Sequence, residues 1–155
     1  MLSMPAPTRT IVSFKSTAFN TSEDKTYFIN TGCVGDDVAE WLIKELGNQG
    51  VNADPKPGQE DFGWYFNFQV AGKTHTLVIV FRPEDTRGRG TWIGVIERRR
   101  GLIGSLFGRR KHGIDALAAQ TLHSILSVSP QVQDIRWHFE HTFLKGHEEL
   151  GASAP

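Results

Sequence analysis

Hydrophobic and polar residues alternate most clearly between Phe62 and Phe81. The alternation over residues 62–70 predicts a strand with one buried face. A turn at residues 71–73 leads into a second predicted strand, 74–81, which is apolar on both faces near its end, as is typical of a central strand. Residues 91–98 predict a third strand, and the short turns between the three predict an antiparallel meander.

Helical spacing marks two further segments. Val38, Trp41, Leu42 and Leu46 form one apolar stripe, and Asp36 or Asp37 is positioned to cap the helix that carries it. A second apolar stripe runs from residue 114 to residue 125. Shorter strands are predicted at 11–14, 27–29 and 134–140.

The order of these elements predicts an α+β fold. We expect an antiparallel sheet of about four to five strands with two helices packed on one face, because a sheet buries its apolar side against another layer. The predicted domain covers residues 10–145, with flexible ends at 1–9 and 146–155.

Composition narrows the class of protein. The 155-residue chain has no net charge, which argues against a general nucleic-acid binder. Its one cysteine, Cys33, cannot form an internal disulfide, and no stretch resembles a signal peptide or a membrane span, so a cytoplasmic protein is expected. The histidine spacing predicts no metal site, and no motif indicates a cofactor.

Charge is nevertheless concentrated in one segment, residues 98–111. Cations flank apolar residues there, which suggests a contact surface for a macromolecule. The candidate binding residues are Arg98, Arg99, Arg100, Leu106, Phe107, Arg109, Arg110 and Lys111. The alternative is a strand-to-helix connection whose apolar residues pack on the core while the arginines stay solvated.

The turn at residues 57–64 offers a candidate edge of opposite charge, with Glu60, Asp61 and Trp64 as its binding residues. The two carboxylates could also act as an acid–base pair, but neighbouring residues of a strand point to opposite faces. The alternative is a structural turn whose aspartate bonds to nearby backbone.

The same turn carries a resemblance. The run Pro57-Gly58-Gln59-Glu60-Asp61-Phe62-Gly63-Trp64 is similar to a Pro-x-x-Glu-Asp-aromatic-Gly-Trp motif in small uncharacterised bacterial α+β proteins. Some of those proteins look like immunity partners of toxins. The resemblance covers about residues 27–98 and implies a binding protein rather than an enzyme.

These observations favour a non-enzymatic binding domain that recognises another macromolecule, most plausibly a protein, through the basic segment and the acidic turn. The same charges could also join two copies of the chain into a homodimer, with the acidic edge of one copy on the basic segment of the other. One alternative is a small hydrolase or transferase that uses Cys33 or the Glu60/Asp61 pair. Another is a module that binds nucleic acid or an anionic membrane surface.

Overall fold

The computed structural model describes residues 7–99, 109–110 and 113–155. In chain order the elements are β1 Ile11–Lys15, α1 Asp36–Asn48, β2 Gly58–Gln59, β3 Trp64–Val70, β4 Lys73–Pro83, β5 Gly90–Arg99, β6 Arg109–Arg110, α2 Ala116–Val128, β7 Gln133–His138, α3 Glu140–Leu144 and a 3₁₀ turn Glu148–Leu150.

The strands form one antiparallel sheet in the order β2-β3-β4-β5-β1-β7, and β6 pairs with the end of β5. The predicted α+β class and the central β3-β4-β5 meander are confirmed. The predicted count of four to five strands is wrong, since the described residues form a path of six strands with β6 beside it. Strands β2 and β6 have two residues each, too few for an alternating pattern to show.

The core lies between one face of the sheet and the two 13-residue helices, α1 and α2. Phe66 pairs with Leu77 and Leu77 with Ile96, so one row of buried side chains crosses three strands. Gly94 lets β1 approach, because a Cβ there would lie 3.0 Å from Val12 Cγ1.

The beginning of α1 differs from the prediction. Gly35 is the N-cap residue, with φ of 136°, and no side chain caps the helix. Asp36 is the first helical residue and is fully buried, while the Asp37 carboxylate accepts from Asn20 N, 2.7 Å away. Neither aspartate therefore fills the capping role predicted for it.

The helix packing also differs from the prediction of two helices on one face. The short α3 follows β7, and the Phe143 ring lies 5.0 Å from the His138 ring. His138 and Trp137 are neighbours in β7 and point to opposite faces, so this contact lies on the face away from α1 and α2. His138 is buried on this face.

The C-terminal residues 146–155, predicted as a flexible end, include the 3₁₀ turn and an antiparallel bridge between Ala152 and Trp137. Arg82 on β4 reaches this segment through a 3.0 Å ion pair with Glu148. The limits predicted for the domain remain a prediction. Within the described residues, no helix combines the length and apolarity needed to cross a bilayer.

Candidate interaction surface

Twenty residues, 16–35, connect β1 to α1 without forming a helix or a strand. The strand predicted at residues 27–29 is wrong, because the Ile29 N–H donates to the Gln59 side chain instead of to another strand. Connections of this length inside a domain are uncommon and often functional. We call residues 16–35 the long loop.

Gln59 binds the long loop with its whole side-chain amide. Its Oε1 accepts hydrogen bonds from Ile29 N at 2.6 Å and Asn30 N at 3.2 Å. Its Nε2 donates to Asn30 O at 3.0 Å and to Cys33 O at 3.3 Å. All the donors and acceptors of one amide are therefore used to satisfy backbone groups of a segment that has no regular structure.

Trp64 contacts the same loop from its buried side. Its ring is buried, its Nε1 donates to Cys33 O at 2.7 Å, and the Phe28 ring lies 5.2 Å from it. Gly63 allows the turn to sit this close to β4, since a Cβ at that position would lie 2.5 Å from Ile79 O. Three residues of the motif, Gln59, Gly63 and Trp64, thus position the long loop.

A buried charge fixes the middle of the loop. The Asp36 carboxylate accepts from Lys25 Nζ at 2.8 Å and from the Tyr27 hydroxyl. The hydrogen bond from Lys25 to Asp36 raises the pKa of the lysine, while burial and the bond to Asp36 raise the pKa of Tyr27. Lys25 therefore stays protonated and Tyr27 stays neutral. The Asp36 carboxylate balances the positive charge of Lys25.

These contacts leave three large apolar side chains at the surface. Ile29 is 81% exposed, Phe62 is 63% exposed and Tyr27 is 55% exposed. They lie on the long loop and on the turn that binds it. Carboxylates accompany them: Asp61 is exposed, Glu60 is half-buried, and Asp24 accepts from Gly32 N at 2.6 Å. We call the set Asp24, Tyr27, Ile29, Glu60, Asp61 and Phe62 the acidic-apolar surface.

Cys33 and Asp61 meet in a pocket of about 180 Å³ beside this surface. The Cys33 thiol donates to Glu60 O at 3.8 Å. The residues around the pocket are Thr31, Gly32, Cys33, Val34, Asp61, Phe62 and Phe81, with no histidine among them. The described lining therefore supplies one carboxylate, that of Asp61, but no imidazole to act as a general base beside the thiol.

Among the described histidines, His75 and His138 have buried rings and make structural contacts. His75 Nε2 accepts from Asp115 N at 3.1 Å, which joins β4 to the start of α2, and His138 Nε2 lies 2.8 Å from Ser13 Oγ. Burial lowers the pKa of both rings. No group of three or more potential metal ligands occurs among the described residues.

A second polar pocket, of about 670 Å³, lies beside the loop between β4 and β5. The ion pair with Lys15, at 2.6 Å, and the bond from Thr91 lower the pKa of Glu84 to about 2. Asp85 pairs in turn with Arg89 at 2.6 Å. These charges offset one another within the loop, so the pocket presents no surplus of either sign from these pairs.

The basic segment lies largely outside the described residues. Arg98 Nη1 donates to Thr74 O at 2.6 Å, and the backbones of Arg109 and Arg110 pair with β5. The predicted binding residues Arg100, Leu106, Phe107 and Lys111 lie outside the described part of the chain, as do the side chains of Arg99, Arg109 and Arg110. Their role stays a prediction.

The structure divides the acidic-turn residues between two roles. Glu60 and Asp61 lie at the acidic-apolar surface, whereas Trp64 is 5% exposed and acts from beneath it. Sequence reasoning did not select Gln59, Tyr27, Ile29 or Phe62. The sequence placed Tyr27 and Ile29 in the strand predicted at 27–29 and Phe62 in the one predicted at 62–70, whereas residues 27–29 lie in the long loop and β3 begins at Trp64. No signal in the sequence identifies the partners of Gln59.

Compared with known proteins, the chain matches no protein-family model, no curated protein and no solved structure.

Proposed function

We propose that this protein is a non-enzymatic binding protein that contacts a protein partner through the acidic-apolar surface. The observation that carries the proposal is the exposure of Ile29, Phe62 and Tyr27 on two segments that hydrogen-bond to each other. Apolar side chains grouped in this way, with charges around them, are typical of protein contact sites.

The rigidity of the surface supports the same proposal. Gln59, Trp64 and Asp36 hold the long loop at three points, so its exposed side chains are held in place before a partner arrives. A pre-organised surface loses less conformational entropy on binding, which improves affinity without further contacts. A catalytic use of Cys33 receives less support, because the described lining of its pocket contains no histidine.

The resemblance of the acidic turn implies an immunity-type role, in which a small protein binds a toxin. That role and a cytoplasmic location remain predictions. Binding of nucleic acid or of a membrane surface through residues 98–111 also remains a prediction, since those residues lie mostly outside the described part of the chain.

Site-specific photo-cross-linking tests the proposed function. A benzophenone amino acid at position 62 should cross-link one discrete partner protein, and Ile29→Asp in the same chain should reduce the yield about tenfold or more. Val128 on α2, which is 79% exposed, is the matched control position and should give no such product. Cys33→Ser should leave the yield unchanged.

Equal cross-linking at positions 62 and 128 would overturn the assignment of this surface. Loss of the product in Cys33→Ser, with the fold intact by circular dichroism, would instead favour the enzyme alternative.

A further inference from the structure

We propose that the partner seated on the acidic-apolar surface is the basic-apolar segment, residues 98–111, of a second copy of this chain. The inference rests on the proposed function, because it names the occupant of the same surface. The segment contains six cations and four large apolar residues, Leu102, Ile103, Leu106 and Phe107. Like the acidic-apolar surface, it carries large apolar residues, but its charges are of the opposite sign.

Charge complementarity is the first argument. Asp24, Glu60 and Asp61 are acids of the surface, and Lys25, which follows Asp24 in the chain, is paired with buried Asp36. The whole chain has no net charge, so no overall repulsion opposes the approach of a second copy. Segregated opposite charges on a neutral chain attract each other at long range and orient the encounter.

Placement in the sheet is the second argument. Arg98 lies opposite His75, which lies opposite Phe68, four residues along β3 from Trp64. At about 3.3 Å per residue, the described end of the basic-apolar segment is about 13 Å from Trp64 along the strands. The turn with Asp61 and Phe62 continues beyond Trp64, away from Arg98. The acidic turn and Arg98, the first residue of the basic-apolar segment, therefore lie toward opposite ends of these strands.

The exposure of Ile29 and Phe62 is the third argument. Ile29 and Phe62 have most of their surface in water, so the free protein gains by covering them. In the proposed contact, the basic-apolar segment of a second copy contributes four apolar residues to cover them and six cations to pair with the acids. Such a contact joins unlike surfaces, so each copy contributes one of the two complementary parts.

Sedimentation velocity on the full chain tests the proposal. The wild type should change from monomer to a dimer or larger species between about 1 μM and about 1 mM, a range that covers weak association. Two double variants should each weaken self-association at least about tenfold: Asp61→Arg with Phe62→Ser, and Arg99→Glu with Arg110→Glu. Glu40→Arg, which matches the charge change of the first variant, and Lys44→Glu with Lys145→Glu, which matches that of the second, lie at exposed positions and should associate like the wild type.

Mixing the two double variants is the decisive step. One retains the basic-apolar segment and the other retains the acidic-apolar surface, so together they should form a 1:1 dimer that neither forms alone. A mixture that stays monomeric overturns the proposal, and so does a wild type that is monomeric at every concentration. Circular dichroism and thermal melting of each variant show that it is folded.

The cross-linking experiment separates this proposal from the proposed function. If position 62 cross-links a different protein and never a second copy of this chain, the surface stands as a binding site and self-association is refuted. If position 62 behaves like position 128, both fail.

Discussion

Replacing Gln59 by alanine should loosen the long loop and destabilise the protein. The change removes four hydrogen bonds, two to the backbone N–H groups of Ile29 and Asn30 and two to the carbonyls of Asn30 and Cys33. Each is worth about 0.5–1.5 kcal/mol net, so the sum has an upper bound of about 6 kcal/mol. Water can replace the bonds to exposed groups, and Trp64 still donates to Cys33 O, so we expect about 2 kcal/mol.

Glutamate at the same position gives a sharper test. Gln59→Glu keeps the shape but replaces the amide nitrogen, which lies 3.0 Å from Asn30 O, with an oxygen. A carboxylate oxygen facing carbonyl oxygens is repelled, so this variant should be destabilised at least as much as Gln59→Ala. Gln69→Ala is the matched control: Gln69 is exposed on β3 and should change the free energy of unfolding by less than about 0.5 kcal/mol.

Urea denaturation gives the free energy of unfolding, and hydrogen exchange reports on the loop itself. The amides of Ile29 and Asn30, which donate to Gln59, should exchange faster in both Gln59 variants. The reasoning is refuted if Gln59→Ala unfolds like the wild type and these two amides keep their protection.

Two further predictions concern the sheet. Because burial lowers the pKa of His138 from its ordinary value of 6.5, the unfolded chain binds protons more readily, and the free energy of unfolding should fall as the pH is lowered through about 6.5. His138→Gln should reduce that slope in urea denaturation between pH 8 and pH 5, and an unchanged slope contradicts the assignment. Gly63→Ala should cost about 1–3 kcal/mol, because its Cβ would lie 2.5 Å from Ile79 O. Gly47→Ala in α1 meets no atom within 4 Å and should be neutral or stabilising in the same thermal melts, so equal effects of the two substitutions would contradict the contact.

Much of the fold followed from local patterns. Strands β3 and β4 alternate every second residue, and α1 and α2 carry apolar stripes at helical spacing. These patterns run over many residues and reflect only which side chains face the core, so they can be read from the sequence. The α+β class followed from their order. The two-residue strands and the short α3 were missed because they are too brief to show a period.

The candidate site could be predicted from the sequence only in part. Glu60 and Asp61 stood out by charge, whereas Trp64 looked like part of an exposed edge and is buried. The capping role predicted for Asp36 and Asp37 was locally reasonable, but Lys25 and Asn20 bind those carboxylates instead. Contacts between residues so far apart in the chain depend on how the loop returns to the helix, which no local pattern encodes.

By itself, the sequence determined the period of the main elements, the neutrality of the chain and the separation of its acidic and basic segments, because these are properties of neighbouring residues. Only the tertiary structure decided that the turn at residues 57–64 meets the long loop and that Ile29, Phe62 and Tyr27 remain in water. The physical reason is that one amide, that of Gln59, satisfies the backbone of a segment 26 to 30 residues away, and a hydrogen bond of that kind forms only after the sheet has brought its partners together.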